Sequence, residues 1–121
     1  MRAALLQLTS SDDPQANLRV TSDLVRSAAA EGATLIVTPE VTNCVSNSRS
    51  HQRTVLSYEA EDPTLAGLRD DAARFGVWVL IGSLALKAEP PEERFLNRSF
   101  LIAPDGSIVA KYDKLHMFDV Q

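Results

Sequence analysis

GATLIVTPE, residues 32–40, is the stretch on which the fold turns. Leu35, Ile36 and Val37 form an uninterrupted apolar run, the pattern of a short strand buried on both faces. Gly32 precedes the run and Pro39 closes it. A carboxylate, Glu40, follows directly.

The sequence upstream supplies a helix. Asp13-Pro14 is a start signal, because the aspartate caps free N–H groups and proline fits the first turn. Leu18, Val25 and Ala29, beside Leu24 and Ala28, make one apolar stripe, with Arg19, Asp23 and Arg26 on other faces. Gly32 is placed to end that helix in a left-handed conformation. Before it, residues 2–8 read as a buried first strand rather than a signal peptide: Gln7 breaks the run, and Asp12 and Asp13 follow.

The same grammar returns downstream. Asp62-Pro63 starts a second helix, with Leu65, Leu68, Ala72 and Phe75 on one face and Gly76 at its end. Residues 77–81 read as a third strand that can extend through Gly82-Ser83 to Leu86. After the polar loop AEPPEER, residues 88–94, two strands over 97–103 and 107–112 flank Pro104-Asp105-Gly106, a hairpin signal. Residues 43–58 are polar without a clear period, and read as a long loop with room for a helical turn. The class is α/β: β-α-β-α-β, then a hairpin, in a mixed sheet.

Bulk properties set limits. The 121 residues are 45% hydrophobic and 23% charged, with a net charge of −4, ordinary for one globular domain. The basic residues are scattered, which argues against a nucleic-acid surface. No segment has the length and apolarity of a membrane span. The one cysteine excludes an internal disulfide and fits a reducing compartment, so the expected location is cytoplasmic.

Topology brings two residues to one rim. Right-handed crossovers leave the first three strands parallel. If the fourth strand pairs antiparallel with the third, the fifth runs with the first three. Glu40 and Lys114 then both lie past carboxyl strand ends, where ligands bind in such sheets. A carboxylate there can take a proton, and an ammonium can stabilise a developing oxyanion. Position alone still favours solvated side chains for both.

Three stretches add to this reading: MRAALLQL at the start, TPEVTN around Glu40, and NRSFLIAPDGSIVAKYDKLHMFDV, residues 97–120. Together, and in this order, they resemble the nitrilase superfamily of carbon–nitrogen hydrolases. Within it the chain is most similar to the ω-amidase and deaminated-glutathione amidase branch. The resemblance implies a nitrilase-type α-β-β-α sandwich, of which residues 1–121 are the N-terminal part of a single domain. It implies Glu40 as general base and Lys114 as the lysine of a Glu-Lys-Cys triad. The nucleophilic cysteine of that pattern falls beyond Gln121, so the 121 residues are expected to be inactive alone. The implied substrate is a small linear non-peptide amide, hydrolysed through a thioester without metal or organic cofactor. A homodimer or higher homo-oligomer is implied as well. N-carbamoyl amino acids or nitriles are the alternative substrates, and a non-catalytic truncated product or interaction module is the alternative outside the enzyme class. Half of a two-sheet fold would also leave one apolar sheet face without its partner layer.

Other residues have plainer readings. Cys44 reads as a structural thiol, since a nearby carboxylate would raise its pKa. His51 and His116 lack partners at metal-ligand spacing, and His116 is placed to pack or hydrogen-bond beside the site. Asp113 and Asp119 either orient Lys114 or face water. Asn97 is assigned to strand-edge hydrogen bonding and Trp78 to the core. Arg49 and Arg53 are candidates to meet a substrate carboxylate.

Overall fold

A computed structural model describes residues 2–8, 11–46, 48–90 and 94–114. Five strands form one sheet in the order β1-β2-β3-β4-β5: Ala3–Leu5, Leu35–Thr38, Trp78–Lys87, Phe95–Ile102 and Ile108–Asp113. The first three are parallel, and β4 is antiparallel to both β3 and β5. The expected mixed sheet is therefore present, and β5 runs with β1–β3.

The helices start where the sequence places them. In α1, Pro14–Ala30, Asp13 Oδ1 accepts from the N–H groups of Gln15 and Ala16 at 3.1 and 3.3 Å. In α3, Pro63–Phe75, Asp62 Oδ2 accepts from Leu65 N–H at 2.8 Å. Gly76 ends α3 in the left-handed region, with φ 64°. Both helices cover the same sheet face, as two right-handed crossovers in one direction require. Val25, Leu65, Leu68 and Ala72 pack there against Ile36, Val79, Ile81, Phe100 and Ile102.

Three sequence expectations change. First, β1 is shorter than residues 2–8 and is not buried, with Leu5 78% exposed. It is an edge strand whose partner β2 has four residues before Pro39; Leu6 N–H to Val37 O, 2.9 Å, is its last ladder bond. Second, the loop over 43–58 contains a short helix, α2, Arg49–Val55, capped by Ser48. A 3₁₀ turn, Glu59–Glu61, follows it. Third, Trp78 is half-buried and alternates with Val79, so it lies on the face away from the helices and not in the core.

That second face is open over much of its width. Alternation places Leu5, Leu80 and Tyr112 on it, and all three are exposed. Among the described residues, only its far end is covered. There Cys44, Leu56, Ala85 and Phe95 form a second small cluster, with Val41 and Val55 against it. Among the described residues, no helix is long and apolar enough to cross a membrane.

Candidate active site

The Glu40 turn is fastened to the middle of β3. After Ile81 the β3–β4 register shifts, and pairing resumes at Leu84. This bulge carries Gly82 and Ser83. Val41 N–H donates to Ser83 Oγ at 2.8 Å and Thr42 N–H to Ser83 O at 3.0 Å. Beyond the bulge β2 has ended, and the Asn43 carboxamide takes its place as a neighbour of β3. Asn43 Nδ2 donates to Ala85 O at 2.8 Å, and Asn43 Oδ1 accepts from Ala85 N–H at 2.9 Å. Thr38, Thr42 and Asn43 are all buried, so the turn between them is held on both sides.

Lys114 arrives by a different route. Its N–H donates to Asn97 O at 2.8 Å, which continues the β4–β5 ladder one step past the Arg98–Asp113 pair. Strand alternation then puts Lys114 on the face opposite Asp113. Lys114 Nζ hydrogen-bonds Glu40 Oε2 across 74 residues of sequence. Glu40 remains 56% exposed and Lys114 29% exposed, so small molecules can reach both. The sequence placed these two side chains on one rim; the fold brings them into contact.

The other sequence candidates separate cleanly. Asp113 turns away from Lys114 and pairs with Arg98. Arg98 also binds Glu59 at 2.7 Å, and Lys111 Nζ lies 3.0 Å from Glu59. The Arg98 guanidinium holds the Asp113 carboxyl below the usual range, despite some burial. Asn97 offers its backbone carbonyl to Lys114, but its side chain is buried, and among the described residues neither Nδ2 nor Oδ1 meets a hydrogen-bond partner. The assignment to edge hydrogen bonding therefore holds for its backbone only. Arg53 is exposed in the last turn of α2. Arg49 opens the same helix. His116 and Asp119 lie outside the described residues.

Cys44 is 1% exposed, with its Sγ near Asp12 O at 3.6 Å. Burial pushes its thiol pKa up, and Asp12 and Asp13 push it further. The sequence reading expected the rise but credited a neighbouring carboxylate; burial is the larger cause. His51 Nε2 lies 2.8 Å from the same Asp12 carbonyl. Among the described residues, no group of three or more His, Cys, Asp or Glu side chains is placed to hold a metal ion.

Sequence reasoning did not pick out Val41, Ser83 or Asn43 as parts of the site. One signal was available: a glycine inside an apolar strand marks a bulge or a close backbone approach. Gly82 is both. A Cβ there would lie 2.5 Å from Thr38 O and 2.6 Å from Pro39 C.

Comparison with known proteins places the architecture. A deaminated glutathione amidase from Yersinia enterocolitica is 31% identical over 117 residues, covering 97% of this chain and 40% of that protein. An omega-amidase from Xenopus laevis is 28% identical over 122 residues, 98% of this chain and 41% of its own. The chain thus spans about 40% of the curated relatives it matches. The crystal structure of an amidase from Nesterenkonia sp. superposes with a TM-score of 0.76 at 30% identity, covering 96% of this chain and 43% of that one. The C. elegans NitFhit protein gives a TM-score of 0.85 over 98% of this chain and 29% of its own; at 24% identity it speaks to the fold alone. The carbon-nitrogen hydrolase family model matches residues 2–121. With that match across nearly all its length, this chain belongs to the carbon-nitrogen hydrolase family.

Proposed function

We propose that this chain carries the base and the oxyanion-stabilising lysine of an amidase that cleaves small linear non-peptide amides. The observation that carries the reading is the contact between Lys114 Nζ and the Glu40 carboxylate at the carboxyl edge of the parallel strands. Glu40 takes a proton from the attacking thiol, and later from water. Lys114, beside it, stabilises negative charge on the carbonyl oxygen of the tetrahedral intermediate. Glu40 hands the thiol's proton to the amine as the C–N bond breaks. Once ionised again, it takes a proton from water, whose oxygen attacks the thioester, and that proton returns to the sulfur as the acid leaves.

The nucleophile of this proposal is a cysteine outside these 121 residues, because Cys44 does not suit the role. It is buried, and its pKa moves away from the thiolate. Relatives support the chemistry. One Nesterenkonia amidase structure shows Michael addition of acrylamide at its active-site cysteine. Another holds butyramide. Acrylamide and butyramide are both small amides. A cytoplasmic enzyme assembled as a homo-oligomer completes the proposal.

The test uses the complete protein and a small ω-amide. Glu40→Gln and Lys114→Ala are each expected to lower kcat at least about a thousandfold while the urea midpoint stays near that of wild type. Wild-type turnover in either variant removes that residue from the mechanism.

A further inference from the structure

Val41, the residue after Glu40, has φ 46°, and among the described residues it is the only non-glycine at positive φ. A β-branched side chain avoids this region. Such a conformation persists only where the surroundings impose it, and it clusters where geometry serves function. Here the surroundings are the bulge of β3. Ser83, fully buried, accepts from Val41 N–H through its hydroxyl and from Thr42 N–H through its carbonyl. Gly82 N–H donates to Thr38 Oγ1 at 3.3 Å, and the missing Cβ of Gly82 lets the two backbones touch. The Thr42 hydroxyl lies 2.9 Å from the same Thr38 Oγ1 and also bonds the Pro39 carbonyl. Two consecutive N–H groups after the glutamate are thus held by one residue from another strand.

We propose that Ser83 is a positioning residue for Glu40: its hydroxyl and carbonyl hold Val41 left-handed and so aim the Glu40 carboxylate at Lys114 Nζ. The inference rests on the base role proposed for Glu40. Without the hydroxyl, Val41 N–H loses its acceptor, and the residue can relax into the extended or right-handed helical region. That relaxation turns the peptide immediately after Glu40 and moves its carboxylate relative to the lysine. A displacement of about 1 Å at a reacting group costs on the order of a hundredfold in rate.

In the complete protein, Ser83→Ala is expected to lower kcat about 10- to 100-fold with KM within about twofold, since a misaimed base acts on the transition state. Inactivation of the nucleophilic thiol by iodoacetamide slows in parallel. Ser83→Thr keeps an acceptor at the same place and restores most of the lost kcat. Wild-type kcat in Ser83→Ala, with Glu40→Gln inactive, overturns the inference and leaves the proposed function standing. Full activity in Glu40→Gln overturns the proposed function itself. A Ser83→Thr variant that keeps the wild-type urea midpoint, and so accommodates its methyl, yet is as slow as Ser83→Ala means that the hydroxyl does not position Glu40, and this too overturns the inference. Should Ser83→Ala fail to fold, Ser83→Cys carries the test, because a thiol is a weaker acceptor. A partial loss of kcat at constant KM then supports the role, and wild-type kcat removes it.

Discussion

At the scale of single residues, the site depends on backbone conformations that side-chain identity alone does not reveal. Val41 is a case. In most positions alanine is more stable than glycine by about 0.5–1 kcal/mol, because glycine loses more freedom on folding. At φ 46° the preference reverses, since glycine enters the left-handed region without the Cβ penalty. Val41→Gly is therefore expected to be more stable than Val41→Ala by about 1 kcal/mol in urea unfolding. The ordinary order, alanine above glycine, would show that this residue is not held left-handed in solution.

At the scale of elements, the α3 cap links the helix layer to the Glu40 turn. Asp62 is 4% exposed. Burial raises its pKa to about 6, against the lowering effect of hydrogen bonds from Leu65 N–H, Thr64 N–H and the Asn43 side chain. The folded pKa lies above the ordinary value of 3.8, so the folded state binds more protons between the two. The stability tied to this group is full below about 3.8 and is lost as pH rises through about 6. Glu59 and Asp113 have the opposite sign. Burial raises Glu59, but its bonds to Lys111 and Arg98 outweigh that and lower it; Arg98 lowers Asp113. Their contribution is present at neutral pH and fades as acid protonates them. Asp62→Asn isolates the first effect, because asparagine caps a helix as well as aspartate does. Relative to wild type, the variant is expected to gain about 2 kcal/mol in unfolding free energy between pH 4 and pH 7. Parallel pH curves for the two proteins would rule out a raised pKa at Asp62. The same scale explains why the sequence suggests only a helical turn where α2 forms. Its residues, RSHQRTV, carry no apolar period. The helix exists because Ser48 caps it and because buried Gln52 and Leu56 anchor one side.

At the scale of the whole molecule, the sheet presents two unlike faces. One is sealed by α1 and α3. The other leaves Leu5 and Tyr112 exposed at 78% and 65%. The 121-residue chain on its own is expected to bind an environment-sensitive apolar dye such as ANS, and Leu5→Lys with Leu80→Lys is expected to reduce that fluorescence by more than half. Equal fluorescence in wild type and double variant would mean that this face is covered.

Much of this was legible in the sequence, for local reasons. The order of elements follows from periods of apolar residues, from aspartates before prolines, and from glycines at helix ends, all effects that span a few residues. Glu40 and Lys114 were legible because strand direction, once fixed, decides which end of the sheet a residue reaches. The bulge at Gly82-Ser83, the left-handed Val41, the exposed edge strand β1 and the Glu40–Lys114 contact were not legible. Each depends on register between segments far apart in the chain. A one-residue change of register sends a side chain to the opposite face without altering any local pattern. The sequence by itself determined the five strands, the two long helices and which rim carries the charged pair; only the tertiary structure decided that the pair would touch, because the contact is set by how β3 and β4 bring the Glu40 turn and the end of β5 together.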